Sequence, residues 1–174
     1  MLESLSNRLT GKVMILGVGN TLRGDDGAGP YLIEQLKGQV DATLLDCEEV
    51  PENFLGKIAE NQPESILIID TIDLGMSPGT VALLEEDKLE DASWSTHHAS
   101  LQLFVNCVKA DTGGNVLILG IQPKSTEFGS EISDEVKETL GLLQRIIPKA
   151  LALRQPPLLS SLIFPSCDVP HQNA

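Results

Sequence analysis

The sequence predicts a three-layer α/β/α fold around a mostly parallel sheet. Three observations carry this. Apolar runs of strand length recur at 13–18, 42–47, 65–70, 80–84 and 115–121. Segments with helical apolar spacing separate most of them, which implies helices on both faces of one sheet. The first run ends in a loop with five glycines in fourteen residues, Gly17-Val-Gly-Asn-Thr-Leu-Arg-Gly-Asp-Asp-Gly-Ala-Gly-Pro30. An apolar run ending in glycines reads as a buried strand feeding a turn.

Each element has its own reason. Residues 1–11 read as a loose leader. Val13–Val18 is the first strand. Ala28 to Lys37 is a helix, with Pro30 tolerated in its first turn. Ala42–Cys47 is the second strand, and Pro51–Glu60 a helix broken by Asn61-Gln-Pro63. Ser65–Asp70 is the clearest buried strand, four aliphatics ending in an acid. Met76-Ser-Pro-Gly79 is a turn, and Thr80–Leu84 a short strand. The link between these two strands is too short for a crossover, so the later one should run antiparallel to its predecessor. Ser100–Ala110 is spaced as a helix, and Asn115–Ile121 is the last strand. From Ile132 to about Leu153 a long amphipathic helix follows, with Ser133 as its cap and acids early in its first turns. Gly141 and Pro148 speak against its continuity. This gives one α/β domain over 1–153 and a tail over 154–174. The tail's apolar piece, Leu158–Phe164, reads as a strap packed on the domain.

The chain has 174 residues, 41% of them hydrophobic and only six aromatic, which suits one domain with an aliphatic core. Its net charge of −13 speaks against nucleic acid and anionic membranes as partners and favours a basic protein surface or a cation. Cys47, Cys107 and Cys167 form no Cys-x-x-Cys pair, so neither a zinc knuckle nor a redox motif is indicated. An odd cysteine count and a start without a basic region and apolar core fit a reducing cytoplasm. No apolar run approaches the length of a membrane span.

The glycine loop holds Asp25 and Asp26 between a strand and a helix, where open α/β sheets place ligand sites. A dinucleotide loop fails, because Leu22 stands where the third glycine is needed. A phosphate cradle fails too: no Lys-Ser or Lys-Thr pair follows, and two acids repel a phosphate. The pair suits a cation, a proton or a polarised water. The bland alternative makes one Asp a helix cap and leaves the other in solvent.

Asp70 ends a strand at the same sheet edge, and Asp73 follows closely. Trp94-Ser-Thr-His-His-Ala-Ser100 sets His97 and His98 before a helix. Two strand-end carboxylates and an imidazole could form an open three-ligand metal site. They could equally form an acid/base cluster. A serine hydrolase is disfavoured, because Gly-x-Ser-x-Gly is absent and Ser95, Ser100 and the histidines lie too close in sequence.

Residues 17–30 resemble the signature of the nickel–iron hydrogenase maturation endopeptidases. Ile-Ile-Asp-Thr-Ile-Asp-Leu-Gly-Met-Ser-Pro-Gly (68–79), Ser-Thr-His-His-Ala-Ser-Leu (95–101) and Leu-Gly-Ile-Gln-Pro (119–123) resemble its later blocks in the same order. The likeness covers roughly 13–150 and is greatest to the formate-hydrogenlyase-type (hydrogenase 3) branch. It implies a phosphorylase/hydrolase-like α/β/α fold with a five-stranded, mostly parallel twisted sheet and one antiparallel strand. It further implies a cytoplasmic, aspartic-type endopeptidase that removes the C-terminal extension of a hydrogenase large-subunit precursor after nickel insertion. On this resemblance Asp26 and Asp70 are catalytic, and Asp26, Asp70 and His97 contact nickel carried by the substrate. His98 stands where the family has Asn or another polar residue. The competing function is a nickel-dependent escort module without catalysis; a third is a nickel-free aspartic endopeptidase on the same fold.

Overall fold

The computed structural model describes residues 1–85 and 97–154, the side chains of Glu85 and of residues 97–100 excepted. The strap at Leu158–Phe164 and the rest of the tail from 155 lie outside the described residues, as do Trp94, Ser95 and Thr96.

Among the described residues, five strands form one sheet: β1 (Val13–Gly17), β2 (Thr43–Asp46), β3 (Ser65–Thr71), β4 (Val81–Glu85) and β5 (Asn115–Ile121). Their order is β2-β1-β3-β5-β4. Every neighbour pair is parallel except β4 with β5, which is antiparallel. The antiparallel sense expected for the fourth run is therefore met, with β5 rather than β3 as its neighbour.

The strands are apolar on both sides because both sides are covered. Val13, Ile15, Leu67, Ile69, Leu117 and Leu119 face a core shared with α1 (Leu2–Arg8), α2 (Ala28–Leu36) and α5 (Asp134–Leu153). Met14, Leu16, Ile66, Ile68, Val116 and Ile118 face a second core with α3 (Leu55–Asn61) and α4 (His97–Thr112). The alternation along each strand assigns each side chain to its layer.

Two elements depart from the sequence reading. The leader is not loose: Leu2–Arg8 is helical, and Leu5 and Leu9 are wholly buried, packed in the core that includes α5. Burying each leucine contributes about 1.5–3 kcal/mol, enough to order a short segment. The helix predicted over 51–60 divides into a 3-10 turn, Pro51–Phe54, and α3. The long helix expected over 132–153 is met, and α5 runs unbroken through Gly141 and Pro148. Val136, Leu140, Leu143, Ile147 and Leu151 are buried at helical spacing, and their burial outweighs the ~3 kcal/mol cost of an interior proline.

Candidate active site

The sheet order fixes where a site can form. From β1 the chain passes to β2 on one side, and β3 then pairs with β1 on the other. The crevice outside the carboxyl ends of β1 and β3 is thus the switch point of the sheet, where ligands bind in open α/β folds. A cleft of about 590 Å³ lies there. Val18 and Gly19 after β1, and Asp70, Thr71, Ile72 and Asp73 at the end of β3 and beyond, form its wall. Asp26, Arg23, Glu49, Glu52, Leu101 and Thr126 also line it. Its described lining carries five carboxylates against one guanidinium, so the cleft favours cationic over anionic groups.

The glycine loop delivers Asp26 through close backbone contacts. Gly19 has φ +133°, and a Cβ there would stand 1.8 Å from the Asp26 carbonyl oxygen. A Cβ on Gly29 would meet the Val18 and Ile69 carbonyls at 2.4 and 2.6 Å. Only glycine lets the first turn of α2 approach β1 and β3 this closely.

Asp25 and Asp26 then part company. They sit in a 3-10 turn, Gly24–Gly27, where successive side chains point about 120° apart. Asp25 is fully buried. Its Oδ2 accepts from Lys124 N (2.7 Å), Ser125 N (3.2 Å) and Ser133 Oγ (2.9 Å), and its Oδ1 from Ser133 N (2.6 Å). Burial pushes the carboxyl up, but these donors together hold it below the ordinary 3.8. Asp25 is thus a latch between the glycine loop and the segment leading to α5. Neither half of the cap-or-solvent alternative describes it. Ser133 is the residue preceding α5, as expected, but its hydroxyl serves Asp25 rather than the helix.

Asp26 faces the cleft. Asn20 N donates to its Oδ2 (2.9 Å) and Thr71 Oγ1 to its Oδ1 (3.1 Å). The second bond ties the glycine loop to the end of β3, beside Asp70. Asp70 is half-buried, within β3 and in register with Gly120 of β5. Burial first, and the negative charge of Asp26 second, push its carboxyl up to about 7, against the backbone N–H of Thr71. A carboxyl of that kind is poised to take and return a proton near neutrality.

His97 opens α4, as expected of an imidazole at a helix start. The side chains of His97 and His98 lie outside the described residues. Among the described residues no three His, Cys, Asp or Glu side chains close into a metal cluster. Asp26 and Asp70 supply two neighbouring hard donors of the kind a divalent ion accepts. Cys47 is not a nucleophile at neutral pH: burial first, then the charge of Asp46, push its thiol up to about 12, against Lys57.

A second cavity of about 630 Å³ lies at the opposite edge of the sheet, lined in part by Lys12, Asp41, Glu64 and Arg154. Its acids are engaged structurally. Asp41 pairs with Arg154 at 2.6 Å, and Glu64 accepts from Lys12 N at 2.9 Å. The paired carboxylates and the raised proton affinity belong to the switch-point cleft.

Comparison with known proteins decides the family. The profile described as "hydrogenase maturation protease" matches residues 30–150. The chain belongs to the hydrogenase maturation protease family. It is 32% identical over 130 residues to the hydrogenase 3 maturation protease of Escherichia coli K12, covering 73% of this chain and 83% of that protein. A putative hydrogenase maturation protease of Methanocaldococcus jannaschii is 34% identical over 149 residues, covering 79% and 88%. The crystal structure of the NiFe hydrogenase maturation protease HycI from Thermococcus kodakarensis superposes with a TM-score of 0.77 at 32% identity, over 87% of this chain and 97% of that one. The α/β/α architecture is that of the maturation proteases, and the chain is an endopeptidase of hydrogenase maturation.

Sequence reasoning missed several residues that shape this protease's cleft. Thr71 and Asn20 orient Asp26, and Glu49 and Glu52 bring further acid from the loop after β2. Gln122 is buried at the end of β5. Its signal was available, since a long amide directly after a buried apolar strand needs hydrogen-bond partners.

Proposed function

We propose that the protease removes the C-terminal extension of a nickel–iron hydrogenase large-subunit precursor once nickel has been inserted, in the cytoplasm. One observation supports this above the rest: Asp26 and Asp70 sit side by side at the switch point, and one of them holds its proton up to about pH 7. The nickel belongs to the substrate. The two carboxylates and His97 would receive it with hard and borderline donors, while the precursor keeps its softer ones. Docking of the nickel-bearing segment would then align the scissile bond in the cleft. Water adds to the scissile carbonyl, its proton passes to a carboxylate oxygen of the pair, and the leaving amine receives a proton in return. Precursor without nickel lacks the ion that Asp26 and Asp70 bind and is passed over.

Incubating the purified protease with nickel-loaded and nickel-free precursor tests this. Cleavage of the loaded form alone is expected. Binding without cleavage would point instead to an escort role, and equal cleavage of both forms to a nickel-free aspartic endopeptidase.

The histidines provide a second check. Adjacent helical residues project about 100° apart, so one ion is not shared by both. His97→Ala is expected to lower the cleavage rate at least about a hundredfold, as loss of a ligand does, and His98→Ala only a few-fold. A dead His98→Ala beside an active His97→Ala would transfer the role to His98.

A further inference from the structure

Gln122 lies just past the end of β5 and is only 7% exposed. Its amide fills every hydrogen-bonding position it has. Oε1 accepts from Leu74 N (2.6 Å) and Met76 N (3.2 Å). Nε2 donates to the Pro123 carbonyl (3.2 Å) and to Asp73 Oδ1 (3.2 Å). Its backbone also joins the loop, accepting from Gly79 N (2.9 Å) and donating to the Thr80 carbonyl (2.8 Å). One buried side chain therefore anchors the loop between β3 and β4 and fixes the carboxylate that this loop presents. Asp73 is exposed, lines the cleft beyond Asp70, and also accepts from Gly75 N (3.1 Å).

The division of labour within the amide is informative. The acceptor oxygen holds the loop backbone, and the donor nitrogen holds Asp73. Backbone bonds alone would position a loop. The bonds from Gln122 Nε2 and Gly75 N both fall on Asp73 Oδ1 and hold this carboxylate in one orientation on the cleft wall. An extended peptide lying across the ends of β1 and β3 offers main-chain N–H groups, and an oriented carboxylate accepts them.

We infer that Asp73 binds the main chain of the peptide substrate beside the reaction centre, and that Gln122 is its positioning residue. This rests on the reading of the cleft as the site of cleavage. Asp73 adds substrate binding to the chemistry of Asp26 and Asp70, so its loss weakens binding more than turnover.

The test is a double-mutant cycle on cleavage of nickel-loaded precursor. Gln122→Glu keeps an oxygen for Leu74 and Met76 but replaces the donor facing Asp73 with an acceptor. Asp73→Asn keeps the shape and loses the charge. Each is expected to raise KM about tenfold with kcat within about twofold, the loss of one charge-assisted hydrogen bond made equally in ground and transition states. The double variant should be no worse than Asp73→Asn alone, since Gln122 acts through Asp73. Additive losses, or a wild-type KM for Asp73→Asn, would overturn the inference. The Asp73→Asn result decides it even where Gln122→Glu does not fold. Wild-type protein that fails to cleave the loaded precursor would instead count against the function proposed for the cleft.

Discussion

Asp70→Asn is expected to abolish precursor cleavage and, at pH 8, to melt higher than the wild type. Both effects share one cause. Asp70 has a folded pKa of about 7 against an ordinary 3.8, because burial and the charge of Asp26 oppose its ionisation. The folded state thus binds this proton more tightly than the unfolded chain does. Its contribution to stability is complete below about pH 4 and is lost as pH rises through 7. The amide never ionises and escapes that loss. At pH 8 the variant should melt several degrees above the wild type, and the gain should shrink toward pH 4. Cleavage should fall at least about a thousandfold, since the amide neither holds a divalent ion well nor accepts a proton. Thermal melts from pH 4 to 8 and a precursor-cleavage gel check the two halves. Wild-type cleavage by the variant would remove Asp70 from the mechanism, and a Tm gap that does not change with pH would contradict its raised proton affinity.

Asp25→Ala should behave in the opposite way. It strips the partner from Ser133 N, Lys124 N and Ser125 N and from the Ser133 hydroxyl. Leaving such groups unpaired in a buried site costs about 3–5 kcal/mol, a fall of roughly 10 °C or more in Tm. Cleavage would fall with the fold, as the glycine loop loses its anchor. Here the folded pKa is depressed, so the stabilisation is present above the ordinary 3.8 and is lost as pH falls through the folded value. Asp26→Asn, which faces the cleft, should melt within about 1 kcal/mol of the wild type. Equal destabilisation by the changes at 25 and 26 would deny the separation of roles.

The sheet was legible because its strands are unbroken aliphatic runs, and buried parallel strands require that pattern. The cleft's location followed from one apolar run that feeds a glycine loop carrying Asp25 and Asp26 and another that ends in Asp70. What stayed hidden has physical reasons. Leu2, Leu5 and Leu9 repeat at helical spacing, but a segment this short declares itself only through what it packs against. Adjacent aspartates read alike in sequence. Their opposite fates come from a turn that aims one at the segment leading to α5 and the other at β3, and both partners are distant in the chain. Asp25 meets Ser133 across 108 positions, and Asp26 meets Thr71 across 45. Gln122 was passed over for the same reason, since Leu74 lies 48 positions away.

Nickel-edge X-ray absorption of the precursor, frozen alone and within seconds of mixing with the protease, tests the central claim most directly. Wild-type protease is expected to add oxygen and nitrogen donors to the nickel, at about 2.0–2.2 Å, before the extension is released. Asp26→Asn and Asp70→Asn should each leave the spectrum close to that of the precursor alone. A nickel spectrum unchanged by wild-type protease that goes on to cleave the precursor would contradict the account, because the carboxylate pair would then cut the chain without touching the metal.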